Sequence, residues 1–101
     1  MLLSAETSAS APVSTRVYGE TPTGVINGFN TVYTTAVDFV AGSEAVYFNG
    51  VRQTEGVGCD YVRSESGGVG TGFDTITLAV APRNRAGAKP DDKVMIDYDP
   101  V

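Results

Sequence analysis

The chain has 101 residues, of which 12 are acidic and 7 are basic, and its formal net charge at pH 7 is −5. This length predicts a single domain, and the hydrophobic fraction of 42% is typical of a globular protein. The negative charge argues against a general nucleic-acid binder, which needs clustered lysine and arginine, and against attachment to an anionic membrane. We therefore expect neither a nucleic-acid partner nor a membrane partner.

Cysteine usage and the first residues bear on the compartment. Cys59 is the only cysteine, so no internal disulfide can form, which fits a protein made in a reducing cytoplasm. The sequence starts Met-Leu-Leu-Ser-Ala-Glu, with no basic region and no apolar run of useful length, so we expect no signal peptide. No stretch approaches the length of a transmembrane helix.

Residues 1–14 differ in composition from the rest and are predicted to form an extended N-terminal arm ahead of a β-sandwich domain over residues 15–101. Their only bulky apolar side chains are those of Leu2, Leu3 and Val13. Such a segment cannot bury enough apolar surface to order itself. Two interpretations stay open, namely a disordered terminus of the usual kind and an arm that becomes ordered along a partner.

Short runs of β-branched and aromatic residues, bounded by Gly, Pro, Asn and Asp, recur along the rest of the chain and predict strands. In chain order these runs cover residues 15–18, 24–26, 30–34, 44–48, 51–54, 60–64, 75–80 and 93–98. No segment has the pattern of a helix. The strands therefore predict an all-β fold, a small antiparallel β-sandwich that is jelly-roll-like.

Two Asn-Gly dipeptides predict hairpin turns between these strands, Asn27-Gly28 first and Asn49-Gly50 second. Asn-Gly tolerates the positive φ that a type I′ turn requires at both central positions. The run 45–48, just before the second turn, is apolar on both faces. This run is therefore predicted to be central in the fold or covered by a neighbour.

The last two predicted strands alternate between apolar and polar residues, which gives each strand an inner face. We expect the core to include the inward side chains of Ile76, Leu78, Val80, Val94, Ile96 and Tyr98.

Two loops are long for so small a domain, and loops on a compact scaffold are where contact surfaces are usually built. Residues 65–72 are rich in glycine and are predicted to be mobile, whereas residues 83–92 carry three basic side chains. The residues predicted to contact a partner are Leu2, Leu3 and Val13 of the arm and Arg83, Arg85 and Lys89 of the second loop.

The sequence carries no catalytic constellation. It contains no histidine, which removes the Ser-His-Asp and Cys-His nucleophile systems and the usual zinc sites. Cys59 precedes Asp60, whose carboxylate opposes thiolate formation, so we expect a small, buried or half-buried side chain and not a nucleophile. The glycine run 67–72 lacks the Lys-Ser/Thr ending and the following helix of a phosphate-binding loop. We expect no enzyme activity and no cofactor.

Carboxylates and tyrosines give weaker indications of binding. A solvated, charged strand edge is expected for Asp91, Asp92, Asp97 and Asp99, and not a metal site, because no Asp-x-Asp-x-Asp-Gly loop is present. A sugar-binding strip could be formed by Tyr18, Tyr33, Tyr47, Tyr61 and Tyr98. No tryptophan accompanies the tyrosines, and we expect most of them in the core or on a sheet face.

The order of these motifs resembles a small β-domain that recurs in virion proteins of tailed bacteriophages, over about four-fifths of the chain. The matching segments are Thr-Pro-Thr-Gly at 21–24, Ile-Asn-Gly-Phe-Asn-Thr at 26–31, Val-Tyr-Phe-Asn-Gly-Val-Arg-Gln at 46–53, Glu-Gly-Val-Gly-Cys-Asp-Tyr at 55–61, Ile-Thr-Leu at 76–78, Ala-Pro at 81–82 and Asp-Lys-Val-Met-Ile-Asp-Tyr at 92–98. The chain departs from this pattern in its longer loops 65–72 and 83–92, and in a domain that stands alone behind an arm.

The resemblance implies a non-enzymatic structural protein of the virion, made in the host cytoplasm. A short domain behind an arm looks like a subunit that decorates or reinforces the head or the neck and collar. The implied partners are major capsid or connector and neck subunits, together with further copies of the chain in a homo-oligomer. A tail-fibre or adhesin module that binds host-surface glycan is the alternative. An accessory hydrolase subunit is disfavoured because the sequence lacks a base.

Overall fold

The structure is a computed structural model that describes residues 15–85 and 90–101. The predicted N-terminal arm lies outside the described residues. Within the described ranges the chain forms seven strands and no helix. The strands are β1 Val17–Glu20, β2 Val32–Phe39, β3 Ala45–Phe48, β4 Val51–Arg52, β5 Tyr61–Ser64, β6 Phe73–Leu78 and β7 Val94–Tyr98.

The strands form two antiparallel sheets, which confirms the predicted small β-sandwich. The first sheet has the order β1-β7-β3-β4, and the second has the order β2-β6-β5. Ile96 of β7 faces Val46 of β3, and Ile76 of β6 faces Tyr33 of β2. The strands β6 and β7, whose inner faces were predicted from alternation, therefore lie at inner positions of opposite sheets.

The core fills the space between these two sheets. Its buried side chains are Tyr33, Phe39, Val46, Tyr61, Ile76, Leu78, Val94, Ile96 and Tyr98. The phenol of Tyr98 donates a hydrogen bond to the carboxylate of Glu20, and that of Tyr33 donates to the carbonyl of Val25 at 2.9 Å. Buried tyrosines need such partners, because an unpaired hydroxyl loses its hydrogen bonds to water.

The predicted turn at Asn49-Gly50 is confirmed. The φ angles of Asn49 and Gly50 are 51° and 83°, and Phe48 pairs directly with Val51 across the turn. Both central residues thus have the positive φ that a type I′ turn needs. The strand before the turn lies between β7 and β4, which confirms the predicted central position of residues 45–48.

The prediction of a strand at 24–26 with a hairpin turn at Asn27-Gly28 is wrong. Only an isolated bridge joins Thr23 to Thr34, and Asn27 does not have positive φ. The side-chain oxygen of Asn27 accepts hydrogen bonds from the backbone N–H groups of Phe29 and Asn30, at 2.9 and 2.8 Å. This local bonding by the Asn side chain replaces the strand ladder and forms an open loop.

Two predictions at the ends of β6 and β7 are also corrected. The inward position of Val80 is wrong, because β6 ends at Leu78 and Val80 is 66% exposed. The description of Asp97 and Asp99 as belonging to a solvated strand edge is wrong, because β7 lies between β1 and β3. Asp97 accepts a hydrogen bond from the Gly19 N–H, and Asp99 pairs with Arg16 at 3.0 Å.

The sandwich has two chemically distinct ends. At one end the starts of β2 and β7 meet the ends of β3 and β6. At the other end the backbone of Asp38–Val40 pairs with that of Asp99–Val101, through Val40 N–H to Asp99 O at 2.9 Å and Val101 N–H to Asp38 O at 3.1 Å. This short ladder links the end of β2 to the segment after β7 and so connects the two sheets.

Candidate contact surface

Three loops meet at the end where β2 and β7 start, and they are called the loop cluster here. They are residues 25–30, the turn at 49–50, and the described parts of the long loop, 81–85 and 90–93. The N–H of Gly28 donates to the carbonyl of Pro82 at 2.7 Å, which joins the first loop to the long loop. The turn is joined to the same loop through Asn49, whose N–H donates to the carbonyl of Lys93 at 2.9 Å.

Asp92 is the centre of this arrangement. Only 6% of its surface is exposed, and its carboxylate accepts hydrogen bonds from Asn49 Nδ2 at 3.0 Å, the Arg83 N–H at 2.9 Å and Arg85 Nη2 at 3.0 Å. The Asp92 N–H in turn donates to the carbonyl of Arg83 at 2.9 Å. The prediction that Asp92 belongs to a solvated charged edge is therefore wrong. A buried carboxylate is stable here because each of its oxygens has a donor.

The same contacts set the charge state of Asp92. The hydrogen bond from Asn49, the Arg83 N–H and the Arg85 guanidinium lower the pKa of Asp92 to about 2. Donors that bond the ionised form favour it over the neutral form. At neutral pH the side chain is a carboxylate that holds both sides of the long loop to the hairpin turn.

Two of the six predicted contact residues lie in the part of the chain that the structure describes. Arg83 and Arg85 both lie in the loop cluster and are exposed, although the guanidinium of Arg85 pairs with Asp92. The other four predicted contact residues lie outside the described residues. They are Leu2, Leu3, Val13 and Lys89.

Sequence analysis did not single out Phe29, which is the most exposed aromatic side chain of the described residues at 88%. It lies beside Arg83 in an open groove of about 310 Å³ that is also lined by Asn27, Gly28 and Asn84. The predicted hairpin, with strands at 24–26 and 30–34, had left Phe29 in the short connection between them. The sequence feature that could have indicated this loop is Asn27, because an asparagine side chain often bonds the backbone two residues later and forms a local turn.

A second polar cluster surrounds Glu44, which the sequence analysis also missed. Its side chain is 1% exposed and accepts hydrogen bonds from the Tyr61 hydroxyl at 2.9 Å, Arg63 Nη1 at 2.9 Å and the Gly42 N–H at 2.8 Å. Burial, together with the neighbouring Glu44 carboxylate, raises the pKa of Tyr61. Both oxygens of Glu44 therefore have donors that belong to the fold itself, as a buried carboxylate requires.

The structure also places the other candidates weighed from the sequence, namely Cys59, the glycine loop and the carboxylates. Cys59 is exposed, so the expectation of a buried or half-buried side chain is wrong, because the backbone turns tightly from Gly56 to Cys59. The glycine loop does not leave its N–H groups for an anion, since those of Gly70 and Gly72 bond the carboxylate of Glu65. Among residues 15–85 and 90–101, no three potential metal ligands come together.

Most of the tyrosines are core residues, as expected. Tyr33, Tyr61 and Tyr98 are buried. Tyr18 is 73% exposed and Tyr47 is half-buried, and both lie on the outer face of the first sheet, separated by β7. The guanidinium of Arg16 lies 5.6 Å from the ring centre of Tyr18.

Comparison with models of known protein families, with curated proteins and with solved structures found no match. In the part of the chain that the structure describes, no helix is long and apolar enough to span a membrane. A function is therefore inferred from the geometry of the loop cluster and of the sheets, together with the motif resemblance.

Proposed function

We propose that the chain is a non-enzymatic structural subunit of a tailed-bacteriophage virion, which decorates or reinforces the head or the neck and collar. The proposal draws on the motif resemblance, and the observation that carries it is the preorganised loop cluster. Hydrogen bonds through Asp92 and Pro82 hold three loops in one arrangement before any partner binds. Such a surface loses little conformational entropy on association, which favours a lasting contact between subunits.

The chemistry of the loop cluster supports adhesion and not turnover. It presents the exposed apolar side chains of Val25 and Phe29, and Phe29 lies beside the cation of Arg83 in an open groove. Aromatic and arginine side chains dominate the energetics of protein interfaces. The partners proposed are major capsid or connector and neck subunits and further copies of the chain, with the arm as a second contact. The protein would be made in the host cytoplasm and end up in the virion.

The test is incorporation of the chain into purified particles of the phage that carries its gene, measured by quantitative mass spectrometry. We expect recovery in a fixed ratio to the major capsid protein. The variant Phe29→Ser should lower incorporation about tenfold, because an aromatic anchor contributes more than about 1.4 kcal/mol to such contacts. Val57→Ser is the matched control, since Val57 is 96% exposed and lies outside the loop cluster. Absence of the wild-type chain from particles, despite its abundance in the lysate, would refute the proposal.

A glycan-binding module of a tail fibre or adhesin is the second candidate, and the outer-face tyrosines favour it. Exposed aromatic rings beside charged side chains are suited to sugar rings, whose two faces are apolar. Tyr18 with Arg16, and Tyr47 across β7, provide such a face. A glycan-array signal that Tyr18→Ala abolishes and Tyr33→Phe retains would support this role over the structural one.

A further inference from the structure

We propose that copies of this chain associate head to tail, with the loop cluster of one copy seated on the opposite end of the next. The inference deepens the proposed function by naming the contact between copies, and rests on that function only for the expectation that copies associate. Two complementary surfaces carry it, one at each end of the sandwich.

The first surface is the loop cluster, which combines an exposed aromatic side chain, Phe29, with the guanidinium of Arg83. Phe29 is 88% exposed, and no acidic side chain of the described residues pairs with its neighbour Arg83. The described charges of the cluster are Arg83, Arg85 and Lys93 against Asp91 and Asp92, a net of +1. When Asp60, the residue just before β5, is included, the net charge of this end is zero, in a chain whose net charge is −5.

The second surface is the outward face of the ladder between residues 38–40 and 99–101, called the ladder face here. In an antiparallel pair alternate residues share a face, so Asp38, Val40, Asp99 and Val101 point away from the buried Phe39. The side chains of Val40 and Val101 are 47% and 85% exposed. No basic side chain of the described residues pairs with Asp38.

The surroundings make the ladder face acidic. Besides its own two aspartates, the nearby loop and the start of β6 contribute Glu65 and Asp74, and the guanidinium of Arg16 pairs with Asp99 there. These four carboxylates and one guanidinium carry a net charge of −3, and the neighbouring Glu44 and Arg63 pair with each other and leave that value unchanged. Burial opposes the ionised form of Asp74, but hydrogen bonds from Ser66 and Thr75 outweigh it and lower the pKa of Asp74, which favours the charged form.

The two surfaces fit each other in chemistry. Phe29 of one copy would lie against Val40 and Val101 of the next, while Arg83 would approach Asp38. A ring stacked on aliphatic side chains, with an ion pair at its rim, matches the usual anatomy of an interface. The contact joins different surfaces of two identical chains, so it is heterologous, and repetition builds a closed ring or an open filament.

The test is a charge swap in the full chain, followed by sedimentation at increasing protein concentration in about 50 mM salt. Wild-type protein should associate, and Arg83→Glu and Asp38→Arg should each weaken association alone by about tenfold or more, because like charges then face each other. An equimolar mixture of the two variants should associate again, since each copy then finds an opposite charge at both ends. About 500 mM salt should weaken the wild-type contact.

Several outcomes would overturn the proposal. These are a wild-type chain that stays monomeric at millimolar concentration, variants that associate like wild type, and a mixture that does not recover. If Asp38→Arg alone has no effect while Arg83→Glu weakens association, the contact joins two loop clusters or uses another partner surface. Val101→Arg replaces Asp38→Arg if circular dichroism shows that the latter is unfolded. Particle incorporation without self-association would refute this contact and leave the proposed function standing.

Discussion

Asn49 and Asp92 hold together two segments that lie 43 residues apart in sequence. The turn residue contributes twice, since its backbone adopts positive φ and its amide side chain binds both Asp92 and the N–H of Lys93. The turn could be predicted, because Asn-Gly has a local conformational preference. The bonds to Asp92 could not be predicted, because no local pattern indicates which distant carboxylate will meet a turn.

Gly50→Val is expected to destabilise the domain by about 1–3 kcal/mol, the usual cost of a strained backbone position. No heavy atom would lie within 4 Å of a new Cβ at this position, so the cost should come from the φ of 83° and not from a clash. Chemical denaturation measures the change. Gly50→Asn is the control and should cost less, because asparagine tolerates positive φ. An unchanged midpoint for the valine variant would contradict the turn conformation.

Asp92→Asn should lower stability at neutral pH and make it less sensitive to acid. A carboxylate with a folded pKa of about 2 and an ordinary value of 3.8 stabilises the fold fully above about pH 4, and this contribution is lost as the pH falls to about 2. The difference between wild type and variant in denaturation midpoint should thus be constant above about pH 4 and shrink below it. Asp91→Asn, at the exposed neighbour, should show a smaller difference. If the midpoints of wild type and Asp92→Asn differ by as much near pH 2 as they do at neutral pH, this role of Asp92 is refuted.

At the scale of elements, alternation predicted β7 and most of β6 correctly, because burial on one face imposes a period of two. It failed at Val80, where the pattern continues but the chain leaves the sheet before Pro82, whose nitrogen cannot donate to a ladder. The strand predicted at 24–26 from its β-branched residues does not form either, because the Asn27 side chain accepts hydrogen bonds from two nearby backbone N–H groups and so competes with a strand. Whether a side-chain hydrogen bond or a strand ladder wins depends on the free-energy difference between them, and a residue pattern does not give that difference.

Leu78→Ala is expected to cost about 2–5 kcal/mol, because Leu78 is 3% exposed in the core and its removal leaves a cavity. Thr77 is the matched control, since it neighbours Leu78 on the opposite, half-buried face of β6. Thr77→Ala should cost much less in the same denaturation experiment. Equal losses would mean that both faces of β6 are covered.

At the scale of the whole molecule, the two ends of the sandwich differ in charge, since the ladder face is acidic and the loop-cluster end is close to neutral. The net charge of −5 was readable from composition, and the basic character of the long loop was readable from Arg83 and Arg85. The ladder face was not predictable, because it forms only when the segment after β7 pairs with the end of β2. The exposed position of Phe29 was also not predictable, because it depends on the open loop that forms in place of the predicted hairpin.

A chain that starts at Thr15 is expected to keep the thermal midpoint of the full-length protein, because the seven strands of the described ranges and the buried cluster between them need only residues from Thr15 onward. If the N-terminal arm contacts a neighbour, the shortened chain should lose incorporation into particles, since Leu2 and Leu3 would then be missing from that contact. Scanning calorimetry and quantitative mass spectrometry of particles measure the two effects. Normal incorporation of the shortened chain would assign the contact to the loops alone.

The most direct test of the central claim, that the loop cluster is a contact surface, is an electron cryo-microscopy reconstruction of particles that contain the chain. The account predicts that Phe29 and Arg83 are buried against a neighbouring subunit in every copy. A reconstruction in which the loop cluster faces solvent in all copies, with the domain held by another surface, would contradict the account.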